Sequence, residues 1–228
     1  AMACYFASVT QIDREYGRVL RVLGETGADE NTLVVMTADH GDFLGAHGLY
    51  CKNIGAFEEA YRIPIIAAGP GIARGAVSRA RVGLQDLGPT LLDLAGVAPI
   101  PSPDGRSFAD VLRRPDRVAG PDAGLAEYYG SRYRLTQFVY WEGDWKLVFN
   151  GFDFDELYNL REDPFELTNL AARPERAGDL RRLTAGMWRR LRETGERHVV
   201  NASYPPLRLA PYGPGVAESV QAPEGVQP

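Results

Sequence analysis

The sequence predicts an α/β protein that continues into a small α+β unit built on an antiparallel sheet. Three observations carry this. Leu33-Val34-Val35-Met36 is a short apolar run that ends in Thr37-Ala38-Asp39-His40-Gly41. Ile63 to Ala68 is a second such run, closed by Gly69-Pro70-Gly71, and helical patterns flank the pair. Beyond about Asp122 the texture changes to β-rich runs joined by Glu142-Gly143-Asp144, a hairpin signature.

The elements follow in order. Tyr5, Val9, Ile12, Tyr16, Val19 and Leu23 step by fours and threes, which predicts a helix packing on a sheet, with Gly24 and Gly27 offering a stop. Thr32 to Met36 is β-rich without alternation, as suits a parallel strand covered on both faces. Phe57 to Arg62 reads as a short helical turn limited by Pro64. Ile63 to Ala68 predicts a second buried strand and Val82 to Leu84 a third. Asp86 is a candidate N-cap for a helix carrying Leu87, Leu91, Leu92 and Leu94, with Gly96 just past its end.

Pro99 to about Asp122 is rich in Pro, Gly and Arg and reads as a linker, apart from one helical turn around Phe108 to Leu112. Tyr133 to Tyr140 and Trp145 to Phe149 then predict two hairpin strands, and Glu156 to Leu160 a third short one. Leu180, Leu183, Met187 and Leu191 mark one face of a helix whose other face is mostly arginine, a solvated surface. The division expected is 1–118, 119–200 and a Pro-rich irregular tail at 201–228.

Composition narrows the function classes. A 45% hydrophobic content is enough for a sizeable core, and a net charge of -5 without a basic block argues against nucleic acid as a partner. No run is long enough to span a bilayer. No secretion signal opens the chain, and the compartment stays open between bacterial cytoplasm and periplasm. Two cysteines are too few for a disulfide framework.

The chemistry concentrates in Leu33 to Lys52, which holds two of the three histidines. Ligands of open α/β sheets sit at the carboxyl ends of strands. There, Asp39 and His40 offer adjacent metal ligands if the backbone turns at Gly41. Alternatively, Asp39 caps the following turn and His40 is a half-buried polar residue. A carboxylate with an imidazole suits zinc, manganese or iron better than calcium. Lys52 is a positive charge a short loop away, able to hold a sulfuryl or phosphoryl group or simply to face solvent. Of 25 basic residues, only Lys52 and Lys146 are lysines. His47 offers a general acid or a hydrogen-bond donor to a leaving group, or else holds the glycine-rich loop in shape. Asp42 reads as a turn residue, and Glu58, Glu59 and Arg62 as an internal salt-bridge set. Two ligands fall short of the roughly four a hydrolytic metal centre needs.

TADHGDFLGAHGLYCK, FEEAYRIPIIAAGPGI, LQDLGPTLLDLAGVAPIPSPDGRSF, WKLVFN and ELYNLREDPFELTNLA together resemble the C-terminal half of a sulfatase, within the alkaline phosphatase superfamily, over about residues 5 to 195. The resemblance implies the C-terminal part of an alkaline-phosphatase-like mixed sheet with flanking helices, then the small antiparallel subdomain. It implies that Asp39 and His40 are the family's two later metal ligands and that Lys52 contacts the substrate sulfate. His47 lies in the family's glycine-rich loop. The metal implied is one divalent ion, calcium by the family's usage, with manganese or zinc in related phosphonate and phosphodiester hydrolases.

The resemblance further implies a sulfate-ester small molecule or sulfated glycan as substrate. The family's formylglycine nucleophile, made within a Cys/Ser-x-Pro/Ala-x-Arg motif, is not matched here: Cys4 precedes Tyr5-Phe6-Ala7-Ser8, and Cys51 precedes Lys52-Asn53-Ile54-Gly55. The expectation is therefore that an N-terminal half of the same enzyme supplies it, and that these residues alone are inactive. The alternatives are a phosphonate monoester or phosphodiester hydrolase of the same superfamily, or a catalytically inactive truncated binding module. Oligomeric state is left open.

Overall fold

The computed structural model describes residues 2–52, 55–101, 104–130, 135–151, 153–197, 199–200 and 212–214. The chain forms two compact units, Ala1–Gly120 and Pro121–Pro228.

In the first unit, α1 spans Met2–Thr26 and stops at Gly27, whose φ of 69° a side chain would disfavour. The strands β1 (Val34–Thr37) and β2 (Ile65–Ala68) pair antiparallel, with Val34 opposite Ala68 and Thr37 opposite Ile65. This corrects the parallel reading. A parallel pair needs a crossover of a dozen or more residues, usually helical. Here, among the described residues, the only α-helix between the strands is the four-residue α2 (Glu58–Tyr61), and the chain simply reverses. Neither strand is buried on both faces, and Ile66 is 60% exposed. Likewise α1 buries none of its side chains, so its apolar face does not pack on a sheet among the described residues.

Val82–Leu84 is not a strand, because Leu84 opens a 3₁₀ turn, Leu84–Asp86, that leads into α3 (Leu87–Leu94). Asp86 does not cap α3 through its side chain. Its carboxylate instead accepts from the Gly83 and Arg106 N–H groups, at 2.9 and 2.8 Å. Arg106 belongs to the stretch read as a linker, and that reading fails. Phe108 N–H donates to Thr90 Oγ1 at 3.0 Å and Ser107 Oγ donates to Asp93 at 2.6 Å. Phe108, Ala109 and Val111 are buried, and the last two lie in α4 (Ala109–Arg113). Polar side chains of α3 thus fasten a segment whose composition alone suggested freedom.

Among the described residues, the second unit is a four-stranded antiparallel meander with one α-helix. β3 (Ala123–Tyr128), β4 (Gln137–Glu142), β5 (Trp145–Asn150) and β6 (Glu156–Asn159) pair in chain order. Residues 133–134 of the expected first hairpin strand lie outside the described residues, and β3 was not expected. The helix α5 (Ala177–Glu193) places Leu180, Leu183, Met187, Trp188 and Leu191 against Phe138, Leu147, Phe149 and Leu157. Trp188 is fully buried and meets Phe149 edge to face, with centroids 5.0 Å apart. Most of the tail at 201–228 lies outside the described residues. Its stretch 212–214 is held on α5, where Trp188 Nε1 donates to the Tyr212 carbonyl at 2.9 Å.

A polar network closes the β5–β6 turn. Gln137 Nε2 donates to Asn150 Oδ1 at 2.7 Å, and Asn150 Nδ2 donates to Glu156 at 3.0 Å. Asp155 accepts from the Asn150 N–H at 3.0 Å. Burial pushes the Asp155 carboxyl up to about 6; the Asn150 bond opposes this and the neighbouring Glu156 charge adds to it. The folded value lies above the unfolded one near 3.8, so the native state holds the extra proton between them. The group therefore favours folding more as pH falls from about 6 towards 4, and its buried charge costs stability above pH 6. Asp155→Asn keeps the acceptor without the charge. It is expected to raise stability at pH 7.5 by roughly 1–2 kcal/mol and to lose most of that advantage at pH 4.5. All three tryptophans lie in this unit, so urea unfolding followed by their fluorescence measures it. A variant-to-wild-type difference that did not change with pH would contradict the assignment.

Candidate active site

The end of β1 carries the site. Asp39 follows the strand directly after Ala38, and the His40 N–H donates to Asp39 Oδ1 at 3.0 Å. The chain then makes a close approach that only glycine permits. Gly41 N–H donates to the Ala60 carbonyl at 2.9 Å, and a Cβ at position 41 would lie 1.8 Å from the Glu59 carbonyl oxygen. The α2 segment thereby fixes where the two residues before Gly41 stand.

His40 is oriented from both ends. Its Nδ1 lies 2.8 Å from the Gly41 carbonyl oxygen, an acceptor, which assigns the proton to Nδ1 and leaves Nε2 with its lone pair free to accept. His40 Nε2 lies 3.2 Å from Asp39 Oδ2 and in direct contact with Lys52 Nζ. A carboxylate oxygen, an imidazole nitrogen and an ammonium therefore meet at one point. Asp39 and Lys52 are exposed there and His40 is half-buried.

The loop that returns Lys52 to this point is tied by its own backbone hydrogen bonds and strained. Phe43 N–H donates to the Cys51 carbonyl and Gly45 N–H to the Leu49 carbonyl, at 2.9 and 2.8 Å. Asp42 Oδ1 accepts from the Leu44 N–H at 2.9 Å, the turn role its position suggested. Leu44, His47 and Cys51 take left-handed φ values of 49°, 53° and 64°. Such conformations cost on the order of 1 kcal/mol or more each and persist only where the surroundings enforce them.

His47 does not join the Asp39–His40–Lys52 group. Its ring stacks on Phe57 at 3.6 Å between centroids and 5° between planes, with Nε2 3.5 Å from Glu59 Oε2. Glu59 thus pairs with His47, outside the Glu58–Glu59–Arg62 set that the sequence suggested. Phe57 and Glu59 carried no sequence signal for this role, because the partnership spans a loop of ten residues or more.

The strand end thus presents a carboxylate and an imidazole, groups able to bind a cation, beside an exposed lysine able to face an anion. Among the described residues no group of three or more His, Cys, Asp and Glu is placed to hold a metal alone. A carboxylate and an imidazole are metal donors by chemistry, and two of them fall short of the four or so that a hydrolytic centre needs.

Residues 1–97 match the sequence model of the Sulfatase family. Choline-sulfatase of Rhizobium meliloti is 36% identical over 184 residues, covering 79% of this chain and 35% of the relative. The structure of a protein in complex with its substrate D-glucosamine-2-N,6-O-disulfate superposes with a TM-score of 0.75 at 29% identity, over 83% of this chain and 40% of that one. A phosphonate monoester hydrolase of Agrobacterium radiobacter superposes with a TM-score of 0.70 at 26% identity, over 83% and 40%. The chain belongs to the sulfatase family and has the α/β fold of its alkaline-phosphatase-like members. It spans about a third of the length of the curated relatives it matches. No helix among the described residues is long and apolar enough to cross a membrane.

Proposed function

We propose that this chain supplies the later half of the active site of a sulfate ester hydrolase. The observation that carries this is the convergence of Asp39, His40 and Lys52 at the end of β1. In this reading Asp39 and His40 hold one divalent metal, calcium by the family's usage, with manganese or zinc as alternatives. A bound cation would supply polarisation of the sulfate oxygens. Lys52 places its ammonium against the same oxygens and offsets the charge that develops on them. The Gly41 carbonyl, by accepting from His40 Nδ1, keeps the imidazole in the tautomer that ligates.

The nucleophile, a formylglycine in this reading, comes from a segment outside these 228 residues. Two facts support that. The chain covers about 35% of its curated relatives, and the apolar faces of α1 and β2 stay exposed within its own fold. Val9, Ile12, Val19 and Ile66 are each 46% exposed or more, surface that a larger domain would cover. The substrate class is a sulfate ester, either a small molecule or a sulfated glycan.

The likeness to the phosphonate monoester hydrolase favours a second reading, because the same donors suit a phosphonate oxygen equally well. Aryl sulfate and aryl phosphonate esters, offered to the polypeptide that joins this chain to its nucleophile segment, distinguish the two. The purified 228-residue chain is expected to turn over neither ester. Measurable aryl sulfate hydrolysis by the chain alone would overturn the divided-site reading.

A further inference from the structure

We propose that His47 is a positioning residue, held by Phe57 and Glu59 so that the Gly45–Lys52 loop delivers the Lys52 ammonium to His40. The inference rests on the site reading above and assigns work to three side chains that have no direct part in it.

Three observations support the clamp. First, His47 sits at φ 53°, a backbone conformation an L-residue adopts only where contacts enforce it. The contacts are present: near-parallel stacking on Phe57 at 3.6 Å and the Glu59 carboxylate at 3.5 Å. Second, His47 is largely buried, with a side-chain exposure of 13%, and Glu59 Oε2 is buried facing it. A group reserved for proton transfer to a leaving group would aim a nitrogen at the Asp39–His40–Lys52 point, whereas Nε2 aims at Glu59. Third, the segment that receives His47 also receives Gly41. Phe57 caps the short helical turn that contains Glu59 and Ala60, and the Ala60 carbonyl accepts the Gly41 N–H. One short segment therefore sets both halves of the site: the strand end with Asp39 and His40, and the loop with Lys52. Phe43, packed edge to face on Phe57 and only 3% exposed, completes the support from below.

Lysine content makes the test direct. Lys146 is fully buried, so Lys52 is the exposed lysine of the chain. Acetylation of the 228-residue chain by a limiting N-hydroxysuccinimide ester, read at the Lys52 peptide by mass spectrometry, reports how firmly the ammonium is held. Phe57→Leu removes the stacking face, His47→Asn keeps tolerance for left-handed backbone without the ring, and Glu59→Gln removes the charge at constant shape. Each is expected to raise the Lys52 rate by about threefold or more, the size expected for losing one coupled contact. Phe57→Tyr keeps the stack and is expected to restore the wild-type rate. A role in stability alone would lower the melting temperature without moving that ratio. If Phe57→Leu or His47→Asn fails to fold, Glu59→Gln decides. A rate within about 1.5-fold of wild type in the folded variants would overturn the clamp.

A sulfate titration of the wild type separates this from the reading it rests on. Protection of Lys52 by sulfate supports the anion-binding lysine, and its absence counts against that lysine. The ratio of variant to wild type without sulfate decides the clamp in either case.

Discussion

Replacing Glu166 with alanine is expected to destabilise the second unit by about 3–5 kcal/mol. The reason is the company Glu166 keeps. Lys146 Nζ lies 2.7 Å from Glu166 Oε1, and neither side chain has any exposed surface. The Trp141 ring adds a cation–π contact, with its centroid 5.4 Å from the ammonium. Removing the carboxylate takes away the negative charge 2.7 Å from a fully buried ammonium, and this loss exceeds what the pair contributes relative to an apolar substitute. Position 166 has φ 51°, but alanine also carries a Cβ, so backbone strain is unchanged by the substitution. Lys146→Met in the Glu166→Leu background is accordingly expected to recover much of the loss. Urea unfolding by tryptophan fluorescence measures both, and a single-variant cost below about 1 kcal/mol would show that water reaches the pair.

The sequence made some features legible and hid others for identifiable reasons. The turn at Gly143 and the apolar stripe of α5 were readable because both depend on local spacing. The direction of β1 relative to β2 was not, because an apolar run carries no information about its partner. β3 was missed because Ala123–Tyr128 lacks alternation and adjoins a Pro- and Gly-rich stretch. That stretch looked like a linker until Thr90, Asp86 and Asp93 were seen to fasten it, contacts 14 to 20 residues apart. At the site, Asp39, His40 and Lys52 stood out as residue types in a short window. What brings Lys52 back to His40 is a loop with three non-glycine residues in the left-handed region, which no propensity foretells. The rarity of lysine pointed to Lys52, and the same argument applied to Lys146, which proved to be a buried structural charge.

The largest effect on chemistry is expected at Asp39. Its carboxylate is 80% exposed, so the fold depends on it little. In the metal-centred account it supplies the anionic donor of the pair, beside the imidazole of His40. Removing an anionic ligand from a shell completed by other segments weakens cation binding severely. On the proposed divided-site reading, Asp39→Ala in a polypeptide that joins this chain to a nucleophile segment is expected to lower aryl sulfate turnover on the order of 10³-fold. The melting temperature of the metal-free protein should barely move. The most direct measurement is the divalent metal content of that purified variant by elemental analysis. The account predicts loss of the bound metal with retention of fold. A variant that kept its metal at the wild-type level would contradict the assignment of Asp39 and His40 as ligands.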